Sequence, residues 1–228
     1  MRAVQTPPTG AASAVYLTLA AQVLSLGALV IFEEIRGRRL AGQIAALGGE
    51  ARGSEAVVGA VTVFAVLMLL LVIATIAAAV AYLTWLVRAR QTNSAAAPTA
   101  PALAAWLVPL VSLVAPVMVT DELWRESRPP LERRGRWLTL LTAWWTAWLV
   151  VQALIVFRLL ESSPGELTGL GVPELLITVV AALLCAATVR EITVVQRSTH
   201  AIPTLRRFQL PRSRQAARHA APVESQSA

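Results

Sequence analysis

The chain has 228 residues, of which 56% are hydrophobic and 14% charged, with a net charge of +7. A soluble domain carries nearer a quarter charged residues, and here the apolar excess falls in long runs, so the pattern excludes a soluble globular domain and points to membrane-spanning helices. All 20 basic residues are Arg, and in such a chain they mark cytoplasmic loops and anionic headgroups, not nucleic acid, for which no segment is long enough to form a soluble basic fold.

Residues 1–13 read as a short cytoplasmic N-terminus. The first apolar run, Ala14–Phe32, would reach about 28 Å as a helix, close to the hydrocarbon thickness. It ends in EEIRGRR without a small-residue cleavage site, which marks a retained span and not a signal peptide. In Glu33–Glu55, Leu40, Ile44 and Leu47 fall at i, i+4, i+7, the spacing of a short interfacial helix, which Gly48, Gly49 and Gly53 then break. The run Ala56–Val87 would reach about 48 Å and must tilt or project beyond a bilayer. Tyr82, Trp85, Arg88 and Arg90 read as its interfacial end. Ala74/Ala78 and Ala77/Ala81 suit close helix packing, or are plain alanine richness.

After the linker QTNSAAAPTAP comes WLVPLVSLVAPVMVTDELWRES, Trp106–Ser127. Its two prolines, Pro109 and Pro116, would each remove a helical hydrogen bond and leave a carbonyl bare, which hydrocarbon does not tolerate. A broken, re-entrant segment over about 102–120, buried against its neighbours, fits better than a lipid-facing span. Asp121 and Glu122 follow, each within one helical turn of Arg125, and Trp124 suits the headgroup level. Two further spans are expected at about 137–160 and 172–195, joined by a loop with Pro164 and three glycines. Residues 197–228 read as an Arg-rich, largely disordered cytoplasmic tail behind the membrane domain 14–196.

If the proline segment does not cross, 15 arginines share the side of the C-terminus and 5 lie opposite; if it crosses, the split is 16 to 4. Either way the positive-inside rule puts the C-terminus in the cytoplasm of a multi-pass plasma-membrane protein. The prolines and the acidic end favour four spans plus a re-entrant segment; five spans is the alternative. The fold class expected is therefore an all-α, polytopic membrane helix bundle.

Three stretches carry a resemblance: TWLVRARQTN (Thr84–Asn93), AAWLVPLVSLVAPVMVTDELWRES (Ala104–Ser127) and TAWWTAWL (Thr142–Leu149). In order and spacing they resemble the bacterial, largely actinobacterial, membrane family catalogued as domain of unknown function 4328, over about Ala56–Arg197. The chain departs from that pattern at Ser112, where the family usually has Asn, and after the second proline, where an aromatic is common. The resemblance implies an architecture and no activity.

The residues that could carry chemistry gather toward the cytoplasmic face of the four-span arrangement: Arg88, Arg90, Asp121, Glu122, Arg125, Arg190 and Glu191, with Pro109, Ser112 and Pro116 as a candidate hinge. Charges inside apolar runs are often functional and usually paired; the plainer reading is that Arg190 snorkels to the headgroups and the others are solvated. Trp137, Trp144 and Trp148 share a helix face, with Trp145 beside them, as an aromatic site for a cationic or lipid ligand or as packing. The lone cysteine, Cys185, cannot form an internal disulfide, and both histidines, His200 and His219, lie in the tail, so no haem, metal or other cofactor is expected. No nucleophile–base pair or phosphate-binding glycine loop is apparent. The expected function is a non-enzymatic membrane protein acting by association with lipid, through anionic headgroups, or with a protein partner. A small transporter or channel component, with its site at the proline-broken segment, is the alternative.

Overall fold

A computed structural model describes residues 9–37, 39, 42, 55–93, 113–160 and 170–209. Among these every regular element is helical: α1 (Thr9–Phe32), extended by a π-helical turn (Glu33–Gly37), α2 (Glu55–Asn93), α3 (Ala115–Glu126), a 3-10 turn (Leu131–Arg133), α4 (Arg134–Leu160) and α5 (Val172–Gln209). The fold is an all-α bundle, and the four helices α1, α2, α4 and α5 are long and apolar enough to cross a membrane.

The pairs α1–α2 and α4–α5 run antiparallel. The α1–α2 interface is the most extensive in the molecule. Gln22 donates from Nε2 to Thr75 Oγ1 at 3.3 Å, and the Phe32 and Phe64 rings lie 6.3 Å apart. Two polar side chains at mid-span satisfy one another there, as hydrocarbon requires. Ala74 and Ala78 are buried, while Ala77 and Ala81 are only half-buried. The α4–α5 pair is joined near one end by Arg158 and Glu174, 3.0 Å apart, and near the other by Arg133 and Glu191 at 3.6 Å. Contact between α1 and α5 joins the two hairpins. The core cluster lies toward one end of the bundle, where Val15 of α1, Trp85 and Leu86 of α2, Leu123 of α3, Leu141 of α4 and Val189 of α5 are almost fully buried.

That end also holds both described flanks of the proline segment. The chain leaves α2 at Asn93, and Asn93 Nδ2 donates to Ser127 Oγ at 3.2 Å, just past the end of α3. The segment between them therefore departs from and returns to the same end of the bundle. At Leu113 it stands level with Trp145: the Leu113 carbonyl accepts from Trp145 Nε1 at 3.1 Å. Trp145 stands eleven residues, about 16 Å, along α4 from Arg134. From there α3, 12 residues or about 18 Å long, climbs back out. Both flanks at one end accord with the expected re-entrant segment; residues 94–112, which join them, lie outside the described residues.

Pro116 plays a different part from the one its sequence suggests. It sits in the first turn of α3, where no N–H is needed, so it starts the helix and does not break one. Pro109 and Ser112, with most of the expected re-entrant segment, lie outside the described residues, as do Leu40, Ile44 and Leu47. The last helix also passes the expected end of its span at Val195 and continues to Gln209, so the first part of the tail is helical, while residues 210–228 lie outside the description. Gln196 and Thr199 hold this continuation: Gln196 Nε2 donates to the Ala89 carbonyl at 2.8 Å, and Thr199 Oγ1 to the Ser127 carbonyl at 3.1 Å.

The topology is tested with single cysteines in a Cys185→Ala background and a membrane-impermeant thiol reagent. Thr9→Cys and Arg128→Cys, at the same end of the bundle, should label from the same side. Leu160→Cys, 79% exposed at the far end, should label from the other. Opposite labelling of Thr9→Cys and Arg128→Cys would overturn the re-entrant path.

Candidate functional site

The sequence brings charge to α3 because its amphipathic outer half follows an apolar start. Asp121 is the centre. Its residue is 6% exposed, so the carboxylate needs partners in place of water. Arg125, one turn on, donates to Oδ2 through Nε at 2.8 Å and also through Nη2. Arg134, at the start of α4, grips the carboxylate with both ends of its fork, Nη1 to Oδ1 at 2.6 Å and Nη2 to Oδ2 at 3.0 Å. Trp137 Nε1, one turn further along α4, donates to Oδ1 at 2.9 Å.

The surroundings are aromatic. The Trp124 and Trp137 rings stack 5.2 Å apart and nearly parallel, at 5°, and the Arg134 guanidinium lies 5.3 Å from the Trp124 ring centroid. Both rings are buried, at 3% and 2% exposed, and neither forms the interfacial belt expected from the sequence. The buried Trp124 indole N–H has no acceptor among the described residues. Burial alone pushes the Asp121 carboxyl up, but the bonds from Arg134, Trp137 and Arg125 and the charge of Arg134 outweigh it and hold the carboxyl down at about 2.

The turn between α3 and α4 sets this geometry. Arg128 adopts a left-handed backbone, φ 54°, just past the end of α3, and its N–H bonds back to the Arg125 carbonyl at 3.0 Å. A non-glycine residue in that region costs about 1–2 kcal/mol. Pro129 and Pro130 follow, and the chain turns so that Arg134 and Trp137 come back against Asp121.

The other expected site residues resolve into separate contacts. Glu122 pairs with Arg90 of α2 at 2.7 Å, not with Arg125. Glu191 lies 3.6 Å from Arg133. Arg88 and Arg190 are exposed and have no ion-pair partner among the described residues. The single cluster expected from the sequence is thus three groups at one end, with two arginines standing apart. A second set was missed in the sequence: Gln196, Asn93, Ser127 and Thr199 form an amide and hydroxyl lattice that joins α2, α3 and α5. The signal for it was Gln196, a lone amide directly after the apolar stretch ITVV.

The tryptophans of α4 pack within the protein. Trp144 meets Tyr82 at 5.9 Å, and Trp145 stacks on Trp148 at 4.8 Å. Tyr82 and Trp85, read from the sequence as an interfacial pair, are buried, with Trp85 Nε1 3.4 Å from Thr193 Oγ1. These rings are core because the faces of α2 and α4 that carry them point at each other and at α3. Among the described residues no three His, Cys, Asp or Glu side chains come together as a metal site.

With its pKa below the unfolded value, Asp121 contributes stability that is fully present above about pH 4 and is lost as pH falls through its folded pKa. Thermal unfolding in detergent should show this contribution constant from pH 5 to 8 and declining below about pH 4. Asp121→Asn leaves two guanidiniums facing a neutral amide and should destabilise by about 3–5 kcal/mol at pH 7. An unchanged midpoint at pH 7 would sink the assignment.

A family model described as Domain of unknown function (DUF4328) matches residues 45–197. No curated protein and no solved structure matches the chain. The matched stretch contains every residue bonded to Asp121 and all of α2, α3 and α4, but leaves out α1. Since it spans more than half of the sequence, the chain belongs to the DUF4328 family.

Proposed function

We propose that this protein is a non-enzymatic multi-pass membrane protein that works by association, and that its arginine-rich end is cytoplasmic and gathers anionic phospholipid headgroups. One observation carries the reading. At the end of the bundle where α3 lies, nine arginines with described side chains stand with five acids. Four of the nine are held in ion pairs, Arg90, Arg125, Arg133 and Arg134. Arg88, Arg128, Arg136, Arg190 and Arg197 are exposed and have no ion-pair partner among the described residues. At the far end the arginines with described side chains, Arg36, Arg39 and Arg158, are matched in number by Glu33, Glu34 and Glu174 among the described residues. A lopsided charge of this kind favours the inner leaflet for the arginine-rich end, and with it a cytoplasmic C-terminus at the plasma membrane. A protein partner for the same surface or for the tail is part of the association reading.

The transport alternative keeps one observation, the start of α3 at the depth of Trp145. Against it stands the saturation of Asp121, whose two oxygens already accept bonds from three side chains and offer a cargo little.

The test is the lipid retained after extraction from membranes holding equal amounts of phosphatidylglycerol and phosphatidylcholine. The wild type should carry phosphatidylglycerol in clear excess. A variant with the five unpaired arginines changed to Gln should carry the two in the supplied ratio. A wild type without preference would overturn the proposal.

A further inference from the structure

We infer that the exposed face of α5, where it packs beside α1 at the arginine-rich end, binds one anionic glycerophospholipid, with the phosphate between Arg190 and Arg197 and the acyl chains along the outer face of α5. The inference rests on the association reading above and narrows it from a charged surface to a single site.

The outer face of α5 is one stripe, Leu176, Val180, Leu183, Ala187, Arg190, Val194 and Arg197, at alternating steps of four and three residues. Leu176, Val180 and Leu183 are 61%, 45% and 65% exposed. Large apolar side chains exposed along a membrane helix face acyl chains. The stripe then turns cationic at Arg190, which marks the depth at which hydrocarbon gives way to headgroups on this helix. Arg190 and Arg197 are two turns, about 10 Å, apart along the axis. Each side chain is long enough to lean toward a group held between them.

Neither guanidinium is engaged elsewhere among the described residues. Glu191, the acid beside Arg190, faces Arg133 of the neighbouring hairpin. Glu122 and Asp121 are held by Arg90, Arg125 and Arg134. A guanidinium at the headgroup level without a carboxylate is complementary to a phosphodiester, whose oxygens match its fork. The neighbouring helix adds a donor. Tyr16 of α1, which packs against α5, is 36% exposed and offers its hydroxyl. Leu17, beside it, and Leu24, one helix face with it, are each 72% exposed and continue the apolar surface inward. Phosphate, hydroxyl donor and two apolar faces together describe a glycerophospholipid and not a free phosphate.

The experiment uses the full-length protein in mixed phosphatidylglycerol and phosphatidylcholine nanodiscs, released for native mass spectrometry. The wild type should retain one phosphatidylglycerol. Arg190→Gln/Arg197→Gln should lose it at least tenfold, while Arg128→Gln/Arg136→Gln, which removes equal charge at the turn and the first turn of α4, should keep it. Tyr16→Phe leaves all charges in place and should weaken retention about fivefold, the loss of one charge-assisted bond. Equal loss in both double variants would overturn the site and leave the association reading standing. No phosphatidylglycerol preference in the wild type would overturn both. Displacement of the lipid by millimolar glycerol 1-phosphate would show a phosphate site without an acyl-chain component and overturn the lipid assignment.

Discussion

The structure depends on satisfying one carboxylate. Asp121 is buried on a short helix that begins inside the bundle, and three side chains from two helices converge on its oxygens. Buried ion pairs are often no better for stability than apolar packing, and their value lies in fixing one arrangement among several. Here the arrangement fixed is the rotation of α3 and its height against α4. A slide by one turn would leave Asp121 without Arg134 and Trp137 and would part the Trp124 ring from that of Trp137. The amide lattice of Asn93, Gln196 and Ser127 does the same for α2 and α5, so α2, α3, α4 and α5 are indexed to one another at this end by polar contacts.

Much of this was legible in the sequence, and the limits have physical reasons. Four long apolar runs gave four helices, because in hydrocarbon length and apolarity nearly dictate the element. Pro116 starts a helix where its place in an apolar run had read as a break, because the first turn of a helix needs no N–H from it. The i, i+4 spacing found the Asp121–Arg125 pair. It could not find Arg134 and Trp137, which reach Asp121 only because a left-handed Arg128 and two prolines turn the chain back. The aromatic residues misled for a related reason. Tryptophans beside charges match an interfacial belt, yet Trp124 and Trp137 are buried because the charge beside them is itself buried and draws an indole N–H. Asn93 and Gln196 were passed over since a lone amide carries no periodicity.

Indexing the arginine-rich end also allots the surplus length of α2. The helix has 39 residues, about 58 Å, and a bilayer core takes about 30 Å. Arg88 and Arg90 stand with α3 and α5 at the indexed end, so the excess lies toward Glu55. The far end differs in character as well: it has balanced charge and an apolar groove lined by Ile31, Phe32, Gly59 and Val63, while the indexed end is polar, cationic and packed with aromatic rings. The two ends thus face different demands, one of registration and one of simple lipid contact.

The position of the carboxylate's partners along the chain has a consequence for synthesis. A ribosome delivers α1 and α2 first, and their extensive interface lets them pair as a hairpin as soon as both have entered the bilayer. The next element, α3, emerges with Asp121 before Arg134 and Trp137 exist. Until α4 follows, the carboxylate has only Arg125 and water, and hydrocarbon is closed to it. Full pairing of Asp121 therefore depends on α4, which carries its counter-ion and its indole donor. Only seven residues separate Glu126 from Arg134, so the partner follows its carboxylate closely along the chain.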